Sequence, residues 1–279
     1  MSTIIRSQRI AVLVTLLVLA GTQASGGTLV PLRIGGSGSP SASITTIARA
    51  FEKSHRNVKI EILPGLGSAG GVRALAAGQV QVALISRRLT DEERKQGLVA
   101  VNYARTPFVF ATSRATRISS ITLEEAASIY SGRKTTWPDG TLIRLVLRPE
   151  VDSDTALLRS LSPAIDEAVK KAFTRPGMLI AITDVDAADA LERLPGSFGT
   201  TTMSIVIAQG RPIKVLALDG TFPSLKGLAD GSYPYPKPFY LVTSAQASPL
   251  VKEFVAFLRS SQGIKLLTAS GHLVVDDPR

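Results

Sequence analysis

The sequence predicts an α/β protein of two lobes, and three observations carry that prediction. Short apolar strand patterns alternate with amphipathic helix patterns from Leu29 onward, which is what β-α-β units with right-handed crossovers look like in sequence. The alternation is set out twice, before and after the middle of the chain, with no repeat or low-complexity tract between. The chain has 279 residues, 44% of them hydrophobic, enough to bury a core and long enough to divide it in two.

The first residues stand apart from this pattern. Arg6 and Arg9 precede an apolar run from Ile10 to Ala20, followed by small residues ending near Ala24, as in a cleaved secretory signal over 1–24. The run is shorter than the about 20 apolar residues a bilayer span requires, and no later segment reaches that length. A free periplasmic or secreted protein is the expectation, with an uncleaved membrane anchor as the alternative.

Next comes "LRIGG", a short strand, and then Ile44, Ile47, Ala48 and Phe51 at the i, i+3, i+4, i+7 spacing of a helix face. "VKIEIL", Val58 to Leu63, alternates like a half-buried strand; "GSAGGVRALAAG" is a helix closed by Gly78; "VQVALI", Val80 to Ile85, is the next strand. In the middle, Thr122 and Glu125 have capping-box spacing before a helix that Gly132 stops. "WPDG" is a turn and "LIRLVL", Leu142 to Leu147, a strand. One long helix is predicted from about Thr155 to Phe173 and another from Asp184 to Leu194. "SFGTTTMSIVI", "IKVLAL" and "PFYLVT" read as strands, and Val251, Phe254, Val255 and Leu258 share one face of a closing helix.

Composition excludes several function classes. There is no Cys, hence no disulfide framework, thiolate metal site or lipid-modified cysteine. With His55 and His272 the only imidazoles, a histidine-rich metal centre is not expected, nor is any cofactor. The net charge of +10 is spread along the chain and aromatics are only 5%. Without a basic stripe and stacking partners, a solvated surface is expected and nucleic acid is not.

The strand-to-helix junctions are the candidate site. "GSGSPSAS" places Ser39 as an N-cap with Pro40 at the first helical position. Such a helix start presents free N–H groups and a positive dipole end to an oxyanion, with Ser37, Ser39 and Ser41 adding hydroxyls. "GLGSAGGV" repeats this chemistry around Ser68, and "SRRLTDEE" places Ser86, Arg87 and Arg88 beyond the third strand. In an open parallel sheet, ligands bind along that edge. "RPEVDSDT" supplies Arg148, able to pair bidentately with an oxyanion, with Ser153 and Thr155 at the start of a helix that Asp152, Ser153 or Asp154 could cap.

"GSGSPSAS", "GLGSAGGVRALAAGQVQVALISRRLTDEE", "IYSGRKTTWPDG", "GSFGTTTMSIV" and "YPYPKPFYLVTS" together resemble the phosphate-binding periplasmic proteins of ABC importers, over nearly all of the chain beyond the signal. The resemblance implies a type II periplasmic-binding-protein fold, with a ligand cleft between two α/β lobes joined by two hinge crossings. It implies lobe 1 at 29–106 and 227–279, lobe 2 at 107–226, and hinge strands near 107–112 and 238–243. It implies ligand contacts at Ser39, Ser41, Ser68 and Ser86 from the first lobe and at Arg148, Ser153 and Thr155 from the second. Those phosphate binders commonly show Arg, three residues, then Ser-Gly-Thr, whereas here four residues separate Arg148 from Ser153-Asp154-Thr155. Asp154 thus brings a carboxylate into the set where a glycine N–H is usual. Ser86 stands where some members carry an Asp that accepts a phosphate proton, a discrimination that could pass to Asp154.

The implied function is capture of inorganic phosphate, or a related small oxyanion, for the membrane subunits of an ABC importer, by a monomer without catalysis. A ligand-sensing receptor subunit would use the same fold. An exported phosphoesterase would need a nucleophile such as Ser153 flanked by Asp152 and Asp154, and no Ser-His arrangement is evident in the sequence. Arg148 is expected to be the only strong cationic contact, with Arg87 and Arg88 as the alternatives.

Overall fold

The computed structural model describes residues 29–275, so the expected signal segment lies outside the described residues. The chain opens as β1 (Val30–Gly36), α1 (Ser41–Ser54), β2 (Val58–Leu63), α2 (Gly67–Ala76), β3 (Val82–Ile85) and α3 (Asp91–Lys95). It continues as β4 (Leu98–Ser113), β5 (Ser120–Ile121), α4 (Leu123–Tyr130), β6 (Arg144–Leu147), α5 (Ser153–Arg159), α6 (Pro163–Phe173), β7 (Leu179–Ile180) and α7 (Asp184–Arg193). It ends as β8 (Ser197–Thr202), α8 (Met203–Ala208), β9 (Ile213–Val215), β10 (Ala217–Leu218), α9 (Leu225–Asp230), β11 (Pro236–Ser244), α10 (Pro249–Leu258), α11 (Ser261–Ala269) and β12 (Leu273–Val274).

One sheet runs through the molecule in the order β2-β1-β3-β11-β4-β8-β6-β7, with β9 and β12 also paired to β4. The β2-β1-β3 and β8-β6-β7 blocks are parallel, as the alternating pattern predicts, and the antiparallel strands β11 and β4 lie between them. Each parallel block has its own core. Ile44, Ile47 and Phe51 of α1 pack with Ile34, Val82, Phe239 and Phe254 on one side. Phe108, Phe110, Tyr130, Trp137 and Phe198 pack together on the other. The predicted face of α1 is buried, as is that of α10 except for the half-buried Val255, and Thr122 and Glu125 form the expected capping box.

The chain passes between the two cores on β4 and just before β11. Residues Leu98 to Pro107 of β4 pair with β11, whereas Phe108 to Ala111 pair with β8. The return is marked by the bond from the N–H of Phe108 to the Tyr235 carbonyl, close to the start of the predicted second hinge strand. The expected lobe boundary at 227 falls inside α9, and Leu228 and Tyr233 both pack with Phe108 in the second core.

Three elements differ from the sequence reading, the first being "IKVLAL", which breaks at Leu216 into β9 and β10, paired to β4 and β5 respectively. The long helix of Thr155 to Phe173 is two helices, because Ser162 caps a new one through the N–H of Ile165 and Pro163 sits in its first turn, where a missing N–H costs nothing. "SFGTTTMSIVI" is a strand only to Thr202, whose hydroxyl accepts from the Ile205 N–H and starts α8. There the backbone N–H of Ser204 donates to the Thr106 hydroxyl, a tertiary contact that outweighs the strand preference of the Ile-Val-Ile run.

Candidate ligand-binding site between the lobes

The predicted loops do converge. Parallel pairing of β1 with β3 aligns their carboxyl ends, and the loops beyond are laced together by serines. The Ser86 hydroxyl donates to Ser37 Oγ at 2.9 Å, and its backbone N–H donates to Ser68 Oγ at 3.0 Å. Close approach of β1 and α2 requires glycine: a Cβ on Gly71 would lie 2.7 Å from the Gly36 Cα.

Ser39 does not cap α1, which lacks a side-chain cap and has Pro40 at that position. Its hydroxyl instead donates at 2.5 Å to Oδ1 of Asp184, while the Gly38 N–H donates at 2.9 Å to Oδ2 of the same carboxylate. Asp184 comes from the opposite lobe, as the first residue of α7, in a turn fixed by a capping box between Thr183 and Asp186. Lys237 Nζ, at the start of β11, lies 3.3 Å from Asp184 Oδ1, donates to Ser39 Oγ at 2.7 Å, and pairs directly with Asp154. Lys237 is only 1% exposed and Ser39 also 1%, so these are desolvated contacts.

Arg148 is buried beside them. One of its terminal nitrogens donates to the Ala181 carbonyl at 2.7 Å; the other donates to Asp152 at 3.0 Å and lies 3.8 Å from Asp184. Its Nε is buried without a hydrogen-bond partner among the described residues. Asp152 is the residue that caps α5, accepting from the Asp154 N–H at 2.8 Å. Thr155 turns its hydroxyl to the carbonyls of Pro149 (2.9 Å) and Arg148 (3.3 Å), and Ser41 turns its own to the Ser37 carbonyl (3.3 Å). Ser153 joins Ser68, Ser86 and Asp152 around an interlobe cavity of about 520 Å³. A second cavity of about 280 Å³ reaches Gly38, Ser41, Arg148 and Asp184.

The electrostatics follow from burial and pairing. Burial alone would raise the Asp184 carboxyl, but Lys237, Arg148 and the Ser39 hydroxyl hold it down at about 2. Burial raises Asp154 to about 6 against the pull of Lys237, with Asp184 and Asp152 adding repulsion. Burial would lower Lys237, but Asp154 and Asp184 outweigh it and keep the ammonium charged. Two cations thus face three carboxylates, Asp152, Asp154 and Asp184.

Of the residues singled out in the sequence, Ser68, Ser86 and Ser153 line the larger cavity and Ser41 and Arg148 the smaller; Ser39 and Asp154 join the buried charge cluster, and Thr155 bonds the carbonyls of Arg148 and Pro149. Two further members of that cluster, Lys237 and Asp184, were not singled out. Lys237 is a second buried cation, which corrects the expectation that Arg148 would stand alone; its signal was a lysine between prolines at the head of an apolar strand. Asp184 read only as a helix start. Arg87 lines the larger cavity but its guanidinium is held by Glu93 through two bonds of 2.7 Å, and Arg88 is exposed. A Ser-His pair that the sequence did not suggest is present in Ser43 and His272, 2.8 Å apart. It is sealed in the first lobe, with His272 at 0% exposure and its Nδ1 unpartnered among the described residues, an arrangement without access to a substrate or a third group to orient the ring.

Two α/β lobes on one sheet, closing on a desolvated cluster of donors and charges, define the class of proteins that capture solutes in a cleft. The chain belongs to the PBP superfamily, whose domain pattern matches residues 21–262. It is 24% identical over 249 residues to the phosphate-binding protein PstS of Borreliella burgdorferi, covering 86% of this chain and 88% of that one. It is also 24% identical to the phosphate-binding protein PstS of Bacillus subtilis, over 88% and 81% of the two chains. Among solved structures, a Clostridium perfringens chain assigned as a phosphate ABC transporter substrate-binding protein, with bound phosphate, shares the fold at a TM-score of 0.76 and 22% identity, over 88% of this chain and 100% of that one. A Vibrio cholerae ABC-type phosphate transport receptor does so at 0.64 and 22%, over 88% and 100%.

Proposed function

We propose that this protein is an exported, periplasmic solute-binding protein that captures phosphate, or a related small oxyanion, between its lobes and presents it to the membrane subunits of an ABC importer. The observation that carries the reading is the cradle itself. A backbone N–H, a serine hydroxyl, an arginine and a lysine converge on one carboxylate, so the geometry already suits an oxyanion. The relatives named for phosphate binding support the ligand, and the apolar run after Arg6 and Arg9, read as a signal over 1–24, supports the compartment.

In this reading one lobe comprises 29–106 with 236–275 and the other 107–235. Ser39, Ser41, Ser68 and Ser86 serve the ligand from the first; Arg148, Ser153 and Thr155 serve it from the second. Neutral hydroxyl and amide donors suit a tetrahedral anion, which offers many acceptor sites and needs few full charges. The reading is one of capture without turnover by a monomer. The test is calorimetric titration of protein lacking residues 1–24 with phosphate, sulfate, molybdate and arsenate. One-to-one phosphate binding is expected; binding of another oxyanion in its place would overturn the ligand, and binding of none would overturn the function.

A further inference from the structure

We propose that Asp184 is a built-in competitor for the ligand: its carboxylate fills the anion cradle and draws the lobes together, and an oxyanion enters by displacing it. The inference rests on the proposed anion site and adds what controls entry to it.

The carboxylate sits in the cradle as a ligand would. It accepts from the Gly38 N–H and the Ser39 hydroxyl of one lobe and faces Lys237 and Arg148 at 3.3 and 3.8 Å. The position is built, because the Thr183–Asp186 capping box fixes the turn that delivers it. Opposite it stands Gly38, where an added Cβ would lie 2.9 Å from Asp184 Oδ2 and make the carboxylate shift. The cavity of about 280 Å³ that touches both Gly38 and Asp184 gives the side chain somewhere to turn when displaced. Displacement leaves each cation paired, Lys237 with Asp154 and Arg148 with Asp152.

Specificity follows from this competition. A tethered carboxylate is a monovalent anion at high effective concentration, so a free monoanion gains little by replacing it. A dianion brings a second charge to Lys237 and Arg148 and can succeed. Asp184 therefore sets a threshold that phosphate passes and formate or nitrate does not.

Solution scattering and titration test the proposal together. Wild-type protein freed of phosphate should be as compact as with phosphate, whereas Asp184→Ala should be expanded alone and contract when phosphate is added. If the cradle is free in one molecule in ten or fewer, Asp184→Ala should bind phosphate at least about tenfold more tightly than wild type, and should acquire formate binding. Asp184→Asn, which keeps the shape without the charge, should fall between, and the wild-type scattering comparison needs no substitution at all. The proposal fails if phosphate-free wild type is as expanded as Asp184→Ala, or if the variant binds no anion more tightly. If Asp184→Ala expands and binds sulfate more tightly but phosphate not at all, the competitor stands and the phosphate assignment falls.

Discussion

Lys237 holds two carboxylates of the opposite lobe, and at 1% exposure it cannot be replaced by water. Lys237→Ala leaves Asp154 and Asp184 buried beside one another, and breaking a buried pair in this way costs about 3–5 kcal/mol. A urea titration should show that loss as a lowered midpoint. Arg148→Ala is expected to act on binding: charge-assisted bonds contribute about 1.5–3 kcal/mol each, so phosphate affinity should fall on the order of a hundredfold by calorimetry. Arg87→Ala should change it little, since Glu93 already holds that side chain, and a larger loss there than at Arg148 would move the charged contact to the first lobe. His272 makes the fold sensitive to acid, against the opposite contribution of Asp154, whose raised carboxyl takes up its proton in the folded state. Burial pushes its imidazole down to about 3, so the folded protein keeps it neutral while the unfolded chain takes up a proton below about 6.5. The stability this provides is complete above that pH and is lost as pH falls, by about 2 kcal/mol at pH 5. His272→Gln should flatten the wild-type decline between pH 7 and 5 in thermal melts.

Among the elements, α7 matters most to the site because its first residue enters the cradle. Thr183→Ala removes one side of the capping box, and losing such a cap costs about 1 kcal/mol. Denaturation should show that loss, together with a weaker hold on Asp184. The same elements show what could be read from sequence. Helix faces with regular apolar spacing and the Thr122–Glu125 box appear as predicted, because their signals are local. The break before Pro163 was visible in the Ser-Pro pair but was masked by apolar residues on both sides that continue the helical period. The turn into α8 was not legible, because the N–H of Ser204 is held by Thr106, a residue 98 positions away. The site divides in the same way. The serine loops and Arg148 lie at strand-to-helix junctions, where chemistry and position coincide in sequence. Lys237 and Asp184 belong to it only through long-range contacts between lobes.

At the scale of the molecule, the two cores share one sheet, with β11 and β4 paired along most of their lengths between the parallel blocks. Heat should therefore unfold both lobes in a single transition with matching calorimetric and van't Hoff enthalpies. Phosphate at a hundred times its dissociation constant should move that whole transition upward, by about 2.7 kcal/mol of stabilisation. Scanning calorimetry showing two transitions, only one of them shifted by phosphate, would contradict this coupling.

Gly38 gives the closed cleft a genetic aspect. Every glycine codon becomes an alanine codon by one base change, and the methyl group thus added would press on the Asp184 carboxylate. Ser39 and Lys237 hold the other oxygen, Oδ1, so Oδ2 makes room only when the carboxylate turns out of the cradle. The resting shape of this binding protein is therefore a single nucleotide from being reset. A lineage needing a different threshold for uptake could reach it there without touching any residue that donates a side-chain bond to the ligand.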